Sequence, residues 1–193
     1  MYILRYLALE ASAILLLAPV YCILDKCWLH NGRKAALYWL FSCYLGCVYA
    51  LVGLPNVTYI RFEPNLNWVP LLGMRKDLKN CLLNIALFVP LGFLLPLMSR
   101  SFRSAGATVC TGFSTSLAIE FLQIFSGRTS DVNDLLTNTV GSLLGYCLVR
   151  ICVRKRPVVH GTRGELVLVT AFCVGTMFFL QPILTGFLWR GIL

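Results

Sequence analysis

The chain has 193 residues, of which 58% are hydrophobic and 13% charged, with a mean hydropathy of +0.76. That is too apolar and too poor in charge for a soluble domain of this length, and it points to a multi-pass membrane protein. The formal net charge of +9 would suggest nucleic acid in a soluble chain, but here Lys and Arg sit in short loops between apolar runs, so loop charge that sets orientation is the better reading and no nucleic-acid partner is expected.

A spanning helix needs about 20 mainly apolar residues. In chain order the candidates are Tyr2–Leu24, Ala35–Leu54, Leu78–Met98, Ala105–Phe125, Val132–Ile151 and Glu165–Leu188. The expected fold is therefore all-α, a polytopic transmembrane helical bundle of about six spanning helices in one domain over residues 1–193. The first run reads as a helix with Arg5 snorkelling to the interface. Glu10 interrupts it, and it lacks the basic start and small-residue cleavage site of a signal peptide. The nine cysteines are scattered without a Cys-x-x-Cys pair and read as small packing residues. His30 and His160 fall in separate basic loops and make a poor metal pair, so no metal site is expected, and no motif names a cofactor.

Orientation follows from Lys and Arg. Alternate loops hold Lys26, Arg33 and Lys34, then Arg100 and Arg103, then Arg150, Arg154, Lys155, Arg156 and Arg163, ten in all, against seven on the other side. The richer side should be cytoplasmic. Both termini and the loops 55–79 and 126–131 are then expected outside. The loop from Pro55 to Lys79 is long and apolar, with Trp68, Val69, Leu71 and Leu72, which suits a half-buried interfacial segment with Trp68 at headgroup level.

The polar residues concentrate in Ile119–Gly145, which holds three of the eight acidic residues of the chain. Asp131, Asp134 and Asn138 are spaced three and four apart, as on one helical face. Asp131 also falls where a helix should start, and an ordinary N-cap is the competing reading. Glu120 lies about 7–10 Å inside the end of its helix if that helix runs to Ser126 or Gly127. Gln123 is one turn nearer the surface. A carboxylate at that depth needs a partner, a water-filled cavity or a function. It reads either as a structural acceptor for another helix or as an acid, base or ligand contact. Asn80 and Asn84 open the third span on one face, with Pro90 and Pro96 downstream to bend it. Gly141-Ser-Leu-Leu-Gly145 matches Gly-x-x-x-Gly and reads as close helix packing.

These pieces resemble the VanZ-like family. Asn65-Leu-Asn-Trp-Val-Pro-Leu is similar to its Asn-Leu-x-Pro-Phe segment, and Asn80-Cys-Leu-Leu-Asn-Ile-Ala-Leu-Phe-Val-Pro-Leu-Gly to its Asn-x-x-x-Phe-x-Pro-x-Gly helix. Glu120-Phe-Leu-Gln, Arg128-Thr-Ser-Asp-Val-Asn-Asp and Asn138-Thr-Val-Gly resemble its Glu-x-x-Gln, Arg-x-x-Asp-x-x-Asp and Asn-Thr-x-Gly elements, in order. The likeness covers Pro55 to Val153. It implies a bacterial cytoplasmic-membrane protein, and a link to low-level teicoplanin resistance, without naming a reaction.

Two readings of function follow. In the first, a lipid-type substrate, such as a membrane lipid or a lipid-linked cell-wall precursor, is bound or modified at the outer leaflet. Glu120 would be acid or base, and Asp131 and Asp134 would orient a polar head or hold a divalent ion. Arg128 would contact phosphate. Asn67, Asn84, Gln123 and Asn138 would align the group, and Trp68 would cover it. In the second, the polar cluster is a structural network or lipid-binding pocket that alters access of a glycopeptide to the surface. A binder or enzyme needs a cavity at these residues, and a structural network does not.

Overall fold

A computed structural model describes residue 26 and residues 30–67, 78–153 and 159–190. The expected first span, Tyr2–Leu24, and Trp68 lie outside the described residues. The helices are α1 (Gly32–Val52), α2 (Leu78–Met98), α3 (Ala105–Gln123), α4 (Val132–Cys152), α5 (Arg163–Gly175) and α6 (Gln181–Arg190), with a π turn at Thr176–Leu180 joining the last two. Two three-residue strands, β1 (Asn65–Asn67) and β2 (Thr129–Asp131), pair with each other. Among the described residues, α1, α2, α3, α4 and the continuous run Arg163–Ile183 are long and apolar enough to cross a membrane. They coincide with the second to sixth expected spans. The described residues divide into two compact units, one from Arg61 to Thr162 and one made of the segments before and after it.

In the Arg61–Thr162 unit the residue pattern of α3 and α4 runs opposite to that of a soluble bundle, while α2 buries Phe88, Leu91, Leu94 and Leu95. On α4 the buried side is Asn133, Thr137, Asn138, Gly141, Ser142, Gly145 and Val149, while Leu136, Val140, Leu143, Leu148 and Ile151 face outward. On α3, Thr108, Gly112, Ser116, Glu120 and Gln123 are inside, and Phe113, Leu117 and Phe121 are outside. Small and polar residues let helix backbones meet and hydrogen-bond where lipid offers no partner. Gly141 and Gly145 put the α4 backbone directly against α2. A Cβ on Gly141 would lie 2.3 Å from the Ile85 carbonyl oxygen, and one on Gly145 would lie 2.1 Å from that of Val89. Gly92 on α2 returns the contact, since a Cβ added there would lie 2.0 Å from the Ser142 carbonyl oxygen. The Gly-x-x-x-Gly pair is thus a packing surface, sealed by the fully buried Phe88.

In the other unit α5 packs on α1 at a polar knot. Glu165, in the first turn of α5, accepts hydrogen bonds from Lys34 Nζ at 2.8 Å and from the Tyr38 hydroxyl at 2.6 Å. Below it Tyr49, Cys173 and Met177 form a small buried cluster. Pro182 has no N–H for the carbonyl of Phe178, four residues before it, and the Val57 N–H donates to that oxygen at 3.1 Å. The π turn therefore lies next to a proline and its freed carbonyl is satisfied from outside the helix. Replacing Glu165 by Ala removes both hydrogen bonds and leaves Lys34 alone at a helix start. We expect a loss of about 1–3 kcal/mol, read as a lower unfolding temperature in detergent. Unchanged stability would show the pair to be ornamental.

Candidate functional site

The site is built where α3 ends. Helical hydrogen bonding stops at Gln123, and tight-turn bonds follow from Phe125 N–H to Leu122 O and from Ser126 N–H to Gln123 O. Gly127 then takes a left-handed φ of 67°, which turns the chain back along itself and favours glycine. The depth of Glu120 is corrected accordingly. With α3 ending at Gln123, Glu120 is about 4.5 Å inside the helix end, shallower than an end at Ser126 or Gly127 implies.

The segment 61–67 runs alongside. Arg61 N–H donates to Phe125 O at 2.8 Å and Glu63 N–H to Ile124 O at 3.0 Å. The two strands then pair in parallel, Asn65 with Thr129, Leu66 with Ser130 and Asn67 with Asp131. Phe62 and Phe121 each pack at an angle against Phe125 beside this ribbon, both with ring centroids 5.6 Å from it. The ribbon qualifies the all-α expectation, which treated both segments as connecting loops.

The ribbon delivers Asp131 and Asn67 to Glu120. One Glu120 oxygen, Oε2, accepts from the Ser130 hydroxyl at 2.9 Å and from the Asp131 backbone N–H at 2.8 Å. The Glu120 side chain bears no further hydrogen bond and no ion pair among the described residues. Asp131 is the N-cap of α4: Oδ1 accepts from Asn133 N–H at 2.8 Å, and Oδ2 accepts from the Asn67 amide at 3.0 Å. Its backbone is extended, so Asp131 stands before the helix and does not share a helical face with Asp134 and Asn138, as their spacing suggested.

Asn138 belongs to a deeper layer. It is buried, and its amide donates to the Ser116 hydroxyl at 2.9 Å, while the Ser142 hydroxyl donates to its backbone carbonyl at 3.1 Å. The Asn138 Oδ1 atom has no partner among the described residues. Gln123 is buried at the end of α3, Asn84 and Asp134 are half-buried, and Arg128 is exposed.

A cavity of about 170 Å³ sits at the junction. Glu120, Asp131, Asn67 and Ser130 form its polar edge, and Leu117, Phe121, Ile124 and Leu135 are among its apolar walls. Asn84, Gln123, Arg128, Asp134 and Asn138 are not among its walls. The structure thus joins Glu120, Asp131 and Asn67 and leaves the other described candidates outside the cavity. Sequence reasoning missed Ser130 and Ser116. Ser116 was visible as the residue one helical turn before Glu120, whereas nothing local marks Ser130. Among the described residues, no three His, Cys, Asp or Glu side chains gather as a metal ion would require.

A family model described as VanZ/LLP1 matches residues 41–153, more than half of the chain. It takes the resemblance back from Pro55 to Phe41 and ends at the same Val153. No curated protein and no solved structure matches.

Proposed function

The chain belongs to the VanZ/LLP1 family, and from that premise we propose that it is a protein of the bacterial cytoplasmic membrane that binds the headgroup of an envelope lipid at an outward-facing polar site. Handling of such a lipid, or of a cell-wall precursor built on one, links the protein to glycopeptide resistance of the teicoplanin type. The observation that carries the reading is the cavity at Glu120. An apolar wall with a few convergent polar groups is the usual form of a small-molecule site, and a structural network alone has no need of one. Leu117 and Phe121 belong both to this wall and to the exposed apolar side of α3, so an acyl chain in the bilayer reaches the site without crossing water.

Binding is favoured over catalysis on geometry. Both Asp131 oxygens hold the helix start and Asn67, and Asp134 is not in the wall, so among the described residues Glu120 has no second carboxylate free to complete an acid–base pair. Asn138, Ser116 and Ser142 fit a structural layer beneath the site. The test is lipid retention in native mass spectrometry of the detergent-solubilised protein. Leu117→Trp fills the cavity from its wall and is expected to release the retained lipid while the protein stays folded. Retention equal to that of the unaltered chain would overturn the reading.

The outward orientation rests on the excess of Lys and Arg in the alternate loops. Thr129 is exposed on the ribbon. A cysteine there, in a background without native cysteines, is expected to react with an impermeant thiol reagent in intact cells. Reaction only after the membrane is opened would place the site inside.

A further inference from the structure

Building on that headgroup reading, we infer that the cavity at Glu120 selects a primary ammonium headgroup over an anionic one. The polar residues at its edge are two carboxylates, an amide and a hydroxyl, and no Lys or Arg is among its walls as far as the described residues form them. Neither Glu120 nor Asp131 has an ion-pair partner among the described residues, although Lys and Arg outnumber Asp and Glu in the chain by 17 to 8. The hydrogen bonds they do receive come from two backbone N–H groups, a hydroxyl and an amide, all neutral. Glu120 is 6% exposed, lines the cavity and keeps Oε1 without a donor among the described residues. A buried carboxylate in that state is stabilised most by a charged N–H donor, which supplies both the missing hydrogen bond and the missing charge.

The other ligands fit less well. Among the described residues of the wall a phosphate would face two carboxylates and no cation. No group of three His, Cys, Asp or Glu side chains that could hold a metal ion by themselves forms among the described residues. A cavity of about 170 Å³ is also smaller than the several hundred Å³ of a drug-sized pocket, so it encloses a compact group.

The test uses the full chain in neutral detergent and three single-chain lipids with the same acyl group. One carries ethanolamine, one choline and one glycerol on the phosphate. Choline keeps the positive charge but has no N–H, and glycerol has hydroxyl donors without the charge. A hydrogen bond between charged groups predicts about tenfold tighter binding of the ethanolamine lipid than of either other probe. Glu120→Gln should bring the three affinities together. A glycerol lipid binding as well as the ethanolamine one overturns the inference, as does a preference that survives in Glu120→Gln. Equal binding of all three that Leu117→Trp abolishes leaves the headgroup site standing and removes its ammonium selectivity. No binding of any probe removes both. The comparison within the unaltered chain decides the matter even if the Gln variant fails to fold.

Discussion

Gly145→Ala is expected to leave little folded protein in the membrane. The added Cβ would stand 2.1 Å from the Val89 carbonyl oxygen and 2.8 Å from the Phe93 nitrogen, both on the α2 backbone. No side-chain rotation relieves such a contact, so the helices must separate. Overpacking a core costs about 1–3 kcal/mol when side chains can shift, and more is expected where only backbone can yield. Gly92→Ala meets the Ser142 carbonyl oxygen at 2.0 Å and should behave alike. Gly112→Ala is a graded case. Its new Cβ would meet the Ser142 Oγ at 2.0 Å and the Ser142 Cβ at 2.6 Å; the hydroxyl can rotate away by giving up its bond to the Asn138 carbonyl, but the Cβ contact remains for the helices to absorb. Gly106→Ala is the control, since nothing lies within 4 Å of its added Cβ, and a helical Gly-to-Ala change there is worth about 0.5–1 kcal/mol in favour of folding. Membrane abundance and unfolding temperature in detergent should rank Gly106→Ala at or above the unaltered chain, Gly112→Ala below it, and Gly92→Ala and Gly145→Ala last. Normal abundance of Gly145→Ala would contradict the close packing of α2 on α4.

That packing was legible because it depends on short-range pattern. Twenty apolar residues in a row announce a span whatever surrounds them, and α2 begins and ends where its run of apolar residues does. Two glycines one turn apart present a bare strip of backbone, so Gly141 and Gly145 declare a contact before the partner is known. The candidate site was legible in part for the same reason. Carboxylates are scarce and conspicuous among apolar residues, and Glu120 and Asp131 stand out on composition alone.

Their meeting was less visible. It depends on β1 and β2, whose three-residue strands carry no periodic signal and pair across 64 positions of sequence, as the Asn67–Asp131 hydrogen bond shows. It also depends on Gly127, a lone glycine whose left-handed conformation ends the turn after α3. Spacing alone misled for Asp131, because a 3–4 pattern assumes that every member is helical and an N-cap is not. Asn138 shares the stretch but not the cavity. Seven residues of helix carry it about 10 Å away from the cap, to the level of Ser116.

Glu120→Gln is expected to fold at normal abundance and lose function. Oε2 of Glu120 anchors the turn by accepting from the Ser130 hydroxyl and the Asp131 N–H, and the amide oxygen of Gln can accept both. What changes is the atom left over. In place of a carboxylate oxygen the cavity receives an NH₂ group, a donor without charge. A donor-bearing ligand then finds a donor where it needs an acceptor, and loses the attraction of the negative charge as well. Glu120→Ala separates the two roles. It removes the anchor too, leaving the Asp131 N–H and the Ser130 hydroxyl without their acceptor at a cost of about 1–3 kcal/mol for each group that stays buried. The Ala variant should therefore lose abundance as well as function, and the Gln variant function alone. The measurements are membrane abundance and unfolding temperature beside lipid retention, with teicoplanin susceptibility in a bacterial host that shows a phenotype. Full retention and full resistance in a well-folded Gln variant would reduce Glu120 to an anchor for the α3–β2 turn. Loss of function at normal abundance would mean that its second oxygen acts on something outside the chain, because the bonds within the chain survive the exchange.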